Sequence, residues 1–257
     1  MSEAIQTNVS AAVAAIRNAN RIVVFTGAGI STESGIPDFR SPGGIWSKYD
    51  PREFTYQRFV ESEEARAKIW KMSAETHKVL TSADPNPAHY AIVSLEKADK
   101  LACLITQNID GLHQRAGTSE EKVLELHGTA LYIKCLDCGK RYEREPIAKR
   151  VADGDYSPRC DDCKGLLKSA TISFGQSMPR EKMERAYAES ESCDLFIVIG
   201  SSLVVQPAAS LPLIAKKNGA VLMIINRDPT DFDQLADVVI NASAGETMSM
   251  VVETLAL

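Results

Sequence analysis

Four cysteines stand in two pairs whose spacing suits metal binding. Cys135 and Cys138 enclose the first pair, CLDC, and Cys160 and Cys163 enclose the second, CDDC. The interval between the pairs slightly exceeds the one typical of a four-cysteine zinc ribbon. A tetrahedral zinc ion with four sulfur ligands has no open coordination position, so we expect it to fold a small module and to activate no water. Redox-active thiols are the alternative.

A glycine-rich segment, TGAGIST at residues 26–32, follows an apolar, β-branched run. The backbone of such a loop can approach a pyrophosphate closely, and we expect Gly27 and Gly29 to supply conformational freedom and amide donors. The segment departs from the three-glycine dinucleotide fingerprint, because Gly35 comes too late and no acidic residue ends a second strand about 20 residues on. An ordinary strand-to-helix turn is therefore the alternative.

The elements that must position these residues are apolar strands. Runs at residues 21–26, 101–106, 193–199, 220–225 and 237–242 alternate with helix-length intervals. Four or five such strands predict an α/β fold, a Rossmann-like, doubly wound parallel sheet, whose ligands bind at the carboxyl ends of the strands. The polar loops GAGIS, TQNIDG, GSS and NRD follow four of those ends.

Two insertions interrupt this alternation. Residues 43–90 read as a loop followed by helices, and residues 128–172 carry the cysteine pairs. We predict that the insertions form a smaller domain, a zinc ribbon plus a helical module, beside a large domain made of residues 1–42, 91–127 and 173–257. Because ligand sites favour domain interfaces, the active cleft should lie between them.

The composition excludes several classes of protein. An apolar fraction of 44% and a charged fraction of 25% are ordinary globular values. A net charge of -5 argues against direct nucleic-acid binding, which calls for a basic face. Residues 1–20 lack the features of a secretory signal, and no run reaches the roughly 18 apolar residues of a membrane span. We expect a cytoplasmic protein with no membrane partner, in which Cys103 and Cys193 are plain core cysteines.

The motifs, taken together, resemble those of the sirtuins and follow the family's order from about residue 21 to residue 245. They are GAGIS with GIPDFR (27–31, 35–40), TQNIDGLH (106–113), LHG (126–128), FGQSMP (174–179), GSSLVVQP (200–207) and INRD (225–228). The resemblance implies that NAD binds between the two domains and is consumed. An acyl-lysine oxygen attacks C1' of the nicotinamide ribose, nicotinamide leaves, and the acyl group ends on ADP-ribose while free lysine departs.

The resemblance also implies roles for single residues. His127 matches the family's base, and a neutral imidazole suits deprotonation of a ribose hydroxyl near pH 7. Asn108 and Asp110 resemble the residues that hold the nicotinamide carboxamide, which needs both a donor and an acceptor. We expect the remaining histidines, His77, His89 and His113, to be structural.

Further contacts follow from the same resemblance. Phe39 resembles the shield over the reactive ribose, Arg40 a loop residue near the phosphates or simply a solvated charge, and Ala244 part of a final loop near adenine. The implied cofactor-binding residues are Gly27, Ala28, Gly29, Ile30, Ser31, Asp38, Phe39, Arg40, Gln107, Asn108, Ile109, Asp110, Gly200, Ser201, Ser202, Asn226, Arg227, Asp228 and Ala244. Acyl-lysine is implied to bind as a strand beside Ile172, Phe174, Gly175 and Val204.

The acyl group is expected to be acetyl or another neutral group. Family members that prefer succinyl or malonyl lysine carry a tyrosine and an arginine in the helical insertion, where this chain has Ser73 and Thr76. With no evident cation there, an acidic acyl group would be buried unpaired. Gln176 also replaces a common family glutamate and should retune peptide preference. An NAD-linked oxidoreductase, a mono-ADP-ribosyltransferase and a non-catalytic NAD-sensing scaffold are the alternative functions.

Overall fold

The computed structural model describes residues 3–257, with side chains from Gln6 onward. In chain order its helices and strands are α1 (Glu3–Asn18), β1 (Ile22–Thr26), α2 (Tyr56–Glu61), α3 (Glu63–Ser82), α4 (Pro87–Lys97), β2 (Leu101–Thr106), α5 (Leu112–Ala116), β3 (Val123–Glu125), β4 (Gly128–Cys135), β5 (Arg141–Glu143), α6 (Arg144–Ala152), β6 (Leu167–Thr171), α7 (Arg180–Ser192), β7 (Leu195–Ile199), α8 (Leu211–Lys217), β8 (Val221–Ile225), β9 (Val238–Ile240) and α9 (Ala244–Leu255). A 3-10 helix, Ala28–Ser34, follows β1. Within this described part of the chain, no helix has both the length and the apolar character needed to cross a membrane.

The larger sheet has six parallel strands in the order β3-β2-β1-β7-β8-β9. The chain runs outward from β1 to one edge, returns to the middle at β7, and runs to the other edge. The strand order therefore reverses between β1 and β7, and in sheets of this kind ligands bind beside such a switch point. The doubly wound fold is confirmed, and the five apolar runs are strands. β3 was not predicted, because only Val123 and Leu124 of its three residues are apolar before Glu125, whereas β9, equally short, is apolar throughout.

Helices cover both faces of this sheet. The helices α1, α4 and α9 bury one face, and α7 and α8 bury the other. Every residue of β1 and β7 is buried, which explains their continuous apolar sequences. Cys103 and Cys193 lie in the second of these cores, as predicted.

A second unit contains the antiparallel sheet β5-β4-β6 and helix α6. Trp70 of α3 packs into the core of this unit and so joins the helical insertion to the cysteine-bearing one. The chain enters the unit at Gly128 and leaves it after Thr171. The domain boundaries stay a prediction: residues 1 and 2 lie outside the described residues, and the boundary at residue 90 falls inside α4, which packs in the main core.

The loops that follow β1 and β7 touch through three glycines. A Cβ atom on Gly200 would lie 2.2 Å from the backbone nitrogen of Ile30. A Cβ atom on Gly27 would lie 2.7 Å from the Gly200 carbonyl oxygen, and one on Gly29 would lie 2.8 Å from the Gly200 Cα. Gly200 also has a left-handed φ of +64°. Any side chain at these positions would force the two loops apart.

We predict that Gly200→Ala destabilises the fold more than Gly219→Ala does. Both positions have a left-handed φ, but nothing lies within 4 Å of a Cβ atom on Gly219. Left-handed strain costs about 1–2 kcal/mol at each site, and overpacking adds about 1–3 kcal/mol at Gly200 alone. Urea unfolding of the two variants measures the difference. Equal losses of unfolding free energy would contradict the tight contact between the loops.

Candidate active site

A buried polar network lies where β1 and β2 end. The Ser31 hydroxyl donates to Asp110 Oδ2 at 2.8 Å, and Asn108 Nδ2 donates to the Ser31 oxygen at 3.1 Å. The backbone amide of Leu112 donates to Asp110 Oδ1 at 2.9 Å. Ser31, Asn108 and Asp110 are all less than a tenth exposed. Ser31 thus joins two loops and fixes both polar side chains in place.

Burial sets the acidity of Asp110. Desolvation raises the pKa of this carboxyl, although the hydrogen bonds from Leu112, Ser31 and Asn108 oppose the shift. Asn108 and Asp110 therefore place an amide and a carboxyl group side by side in a buried position. A polar ligand group there would find both a donor and an acceptor.

Gln107 connects the ends of three strands. Its backbone amide donates to the Thr26 carbonyl at 3.0 Å, and its side-chain oxygen accepts from the Ser201 hydroxyl at 2.8 Å. Its own carbonyl oxygen lies 3.1 Å from His127 Nδ1. Because a carbonyl only accepts, Nδ1 of the neutral imidazole carries the proton, and the lone pair is on Nε2.

His127 lies where the chain crosses from one sheet to the other. It follows β3 and precedes Gly128, whose φ is +71°, and its carbonyl accepts from the Ile172 amide at 2.8 Å. Burial lowers the pKa of His127 below its ordinary value, and the hydrogen bond to Gln107 opposes this only in part. The imidazole is therefore neutral at pH 7 and can accept a proton at Nε2.

Two threonines behind the network were missed from the sequence. Thr26 Oγ1 donates to Thr106 Oγ1 at 2.8 Å, and His113 Nε2 lies 3.0 Å from Thr26 Oγ1. The His113 ring packs 4.9 Å from that of His89, which accepts from the Asn86 amide and caps α4. Burial lowers the pKa of His89 to about 4, so both rings are structural, as predicted. The signal was present: each threonine ends an apolar strand, directly before a polar loop.

The two glycine amides of the loop after β1 are already hydrogen-bonded within the fold. The amide of Gly27 donates to the Ile199 carbonyl at 3.1 Å, and that of Gly29 donates to the Gly200 carbonyl at 2.8 Å. Gly27 is also extended, with a φ of -124° that any residue adopts. The expectation that both amides serve as phosphate donors is wrong for this conformation. The glycines are needed because the loops after β1 and β7 pack backbone against backbone.

The four paired cysteines converge in the second unit. All four Sγ atoms lie within 4.8 Å of one another. Cys135 and Cys163 are 3.5 Å apart at sulfur, and Cys138 and Cys160 are 3.7 Å apart. These distances are too long for disulfides, and they match the edge of about 3.8 Å expected for four thiolates around zinc at about 2.3 Å. The cluster fits the predicted structural zinc ion, which these four residues would hold.

Comparison with known proteins places the chain in a family. The model of the Sir2 family matches residues 27–207. A relative from Bradyrhizobium diazoefficiens, named NAD-dependent protein deacetylase 1, is 52% identical over 233 residues, covering 91% of each chain. The chain belongs to the Sir2 family.

Other Sir2 proteins extend the likeness. NAD-dependent protein deacylase 2 of Archaeoglobus fulgidus is 46% identical, over 90% of this chain and 89% of its own length. A solved Sir2 structure with a deacetylated p53 peptide and 3'-O-acetyl ADP ribose matches with a TM-score of 0.90 at 37% identity, covering 96% of this chain and 98% of that one. A second, described as Sir2 with a p53 peptide and NAD+, matches with a TM-score of 0.88 at 36% identity, with the same coverage. The predicted family is confirmed.

In this Sir2 chain an aromatic cluster stands beside the network. The Phe39 and Trp46 rings are 5.4 Å apart, and Trp46 lies 6.2 Å from the partly exposed Phe174. Asp38 accepts from the Arg40 and Ser41 amides and so shapes this loop. The Phe174 carbonyl accepts from the Tyr56 amide at 2.8 Å. The predicted ribose shield and the predicted substrate strand are therefore neighbours.

The far end of the crevice differs from expectation at one residue. Asn226 donates to the Asp228 carbonyl at 2.7 Å, which keeps the loop after β8 compact. Ala244, however, is the first residue of α9 and is 6% exposed within the main core. Its placement in a loop is wrong, because α9 begins at Ala244 and Ser243 caps it, and its contact with NAD stays a prediction. The neighbouring Gly245 amide instead donates to Glu33, which ties α9 to the glycine loop.

We predict that Cys160→Ser removes the zinc ion and unfolds β4–β6 locally. Much of the binding energy of a structural zinc ion is folding energy, whereas the main sheet has its own cores. Zinc content and amide hydrogen exchange measure both effects, and exchange should quicken in the second unit while β1 and β7 stay protected. Cys193→Ala, a buried cysteine outside the cluster, is the control and should keep about one zinc per chain. Full zinc content in the serine variant would refute the assignment.

Proposed function

We propose that this chain removes acetyl or other neutral acyl groups from protein lysines, consuming NAD and giving nicotinamide, O-acyl-ADP-ribose and free lysine. The observation that carries the proposal is the fixed tautomer of His127, which leaves Nε2 free to act as a base where the chain crosses from the larger sheet to the smaller one. The names of the relatives, deacetylase and deacylase, support the same reaction.

The first step, in which nicotinamide leaves, depends more on positioning of the acyl oxygen than on acid catalysis. The nicotinamide of NAD is positively charged and leaves readily, so the protein has to orient the acyl oxygen and stabilise an oxocarbenium-like centre. Asn108 and Asp110, held rigid by Ser31, are suited to grip the nicotinamide carboxamide. Phe39 is suited to exclude water from the reactive ribose, because it packs on Trp46, which in turn contacts Phe174 of the proposed substrate strand.

The second step needs a base. His127 Nε2 takes the proton of a ribose hydroxyl, and the freed oxygen attacks the acyl-bearing intermediate. The Gln107 carbonyl orients the ring and, through Nδ1–H, stabilises the imidazolium that forms. The remaining cofactor contacts expected from the sequence complete the proposed NAD site, and acyl-lysine is proposed to lie along Phe174, Gly175 and Val204. The exposure of the Phe174 and Val204 side chains supports that strand.

The setting of the reaction belongs to the same proposal. A cytoplasmic location is supported by six cysteines, none of which forms a disulfide. The absence of a direct role for nucleic acid is supported by the net charge of -5. The two-domain division, with NAD between the units, is supported by the position of His127 at the crossing between the two sheets.

We predict that His127→Ala abolishes formation of O-acyl-ADP-ribose. Loss of a positioned base typically slows a reaction by about 10²- to 10⁴-fold. The wild type and the variant are incubated with an acetyl-lysine peptide and NAD, and the products are followed by mass spectrometry. His77→Ala is the matched control, because His77 bonds Glu145 on the second unit. ADP-ribose attached to protein would instead indicate a transferase, and no NAD turnover with any acyl peptide would leave an NAD-sensing scaffold.

The pH profile should reflect the burial of His127. Because desolvation lowers the pKa of this imidazole below 6.5, the neutral base persists as the pH falls through 6.5. We therefore expect kcat/KM for the acetyl peptide to hold down to pH 6.5 and to decline only below it. A profile between pH 5 and 8 tests this, and an acid limb centred above 6.5 would contradict it.

A further inference from the structure

A cavity of about 120 Å³ lies between the helical insertion and the cysteine-bearing unit. Ile109, Thr171 and Ser173 line its side toward the proposed acyl-lysine site, since they adjoin Asn108 and Ile172. Trp70 and Thr76 of α3 line it from the helical side. A water molecule needs about 10–15 Å³ on this measure, so the cavity has room for a chain of several atoms.

Arg144 brings one buried positive charge to this cavity. The residue is 6% exposed, and its guanidinium donates to the Ala130 carbonyl at 2.7 Å, to the Ser169 hydroxyl at 3.1 Å, and to the carbonyl and hydroxyl of Ser73. All of these partners are neutral. Among the described residues Arg144 has no salt-bridge partner. Glu145, the nearest acid on its helix, contacts His77 Nε2 instead, at 2.7 Å.

Lys168 brings a second buried positive charge to the cavity. It is 4% exposed, and its ammonium donates to the Thr171 carbonyl at 2.6 Å. Within the described part of the chain it also lacks a carboxylate partner, and burial alone lowers its pKa to about 8. Two buried cations without a salt-bridge partner are rare, because desolvation of each is expensive.

The buried polar atoms of the cavity lining that lack a hydrogen-bond partner are both donors. Nε of Arg144 and Nε1 of Trp70 are both buried and have no hydrogen-bond partner among the described residues. Both are donors, and none of the described residues that line the cavity is acidic. The cavity therefore presents two positive charges and two unpaired donors, while the acceptors of its lining are neutral hydroxyls and carbonyls.

We propose that this cavity accepts acyl groups that end in a carboxylate, such as succinyl or glutaryl, with Lys168 and Arg144 as the specificity-determining residues. The inference rests on the proposed deacylation and extends its substrate range. Acetyl groups carry no carboxylate and remain substrates of the proposed reaction. The expectation of neutral acyl groups considered only the helical insertion, where Ser73 and Thr76 carry no charge. The cations come instead from α6 and β6.

The test compares two peptides of equal shape. One carries succinyl-lysine, and the other carries the same acyl chain ending in a carboxamide, so that only the charge differs. We expect the wild type to favour the carboxylate about tenfold in kcat/KM, the ratio that one charged hydrogen bond provides. Lys168→Met should bring the ratio close to one and change acetyl-peptide kcat/KM less than about threefold. Because Lys168 has no carboxylate partner among the described residues, Lys168→Met leaves no opposite charge buried and unpaired.

Further measurements separate the inference from the proposed function. Binding of both peptides is measured by calorimetry without NAD, so the charge preference is read even if no acyl group is turned over. Thr76→Glu, which places a competing carboxylate in the cavity, should also abolish the preference, whereas Lys216→Met, an exposed lysine paired with Asp237, should preserve it. Equal affinity of the wild type for the two peptides, or an unchanged ratio in both cavity variants, overturns the inference. Failure of the acetyl peptide alone to react overturns the proposed function.

Discussion

The close passage of two backbone loops fixes the geometry of the whole site. The loops after β1 and β7 meet at 2.8 Å, between the Gly29 amide and the Gly200 carbonyl. Their meeting brings Ser31 within reach of Asp110, and Ser201 within reach of Gln107. Gln107 then sets the tautomer of His127. A binding crevice at the switch point of the sheet and a base of defined protonation thus follow from one contact that only glycine allows.

The second unit takes part in this geometry although its metal cluster takes no part in the chemistry. His127 is the last residue before the chain enters β4, and its carbonyl is paired with Ile172 just after the chain leaves β6. The relative position of β4 and β6 therefore controls the histidine backbone. The four cysteines hold these two strands at their far ends, since Cys135 ends β4 and Cys160 and Cys163 precede β6. A structural zinc ion can in this way influence a base in another part of the fold.

The sequence predicts most reliably what depends on neighbours along the chain. Apolar runs predicted five of the six strands of the larger sheet, and the spacing of the cysteines predicted the cluster. The sequence predicted least well what depends on distant segments. The residues around Gly27 do not show that its backbone is extended or that its amide donates to the last residue of β7. The residues around Ala244 likewise do not show that α9 begins there. Arg144 and Lys168 read as ordinary surface charges, because their burial arises only when α3, β4, α6 and β6 pack together.

A common physical logic connects the network around Asp110 with the cavity around Arg144. In each place the fold buries ionisable groups more fully than their internal hydrogen bonds compensate, so that the pKa of Asp110 is raised and that of Lys168 is lowered. Such groups reduce the stability of the empty protein. A ligand that supplies the missing partner regains that free energy on binding, and so it stabilises the folded state as well as being selected by it. On the proposals made above, the incomplete pairing of these buried groups is the physical source of selectivity, for the nicotinamide amide in one place and for an acidic acyl end in the other.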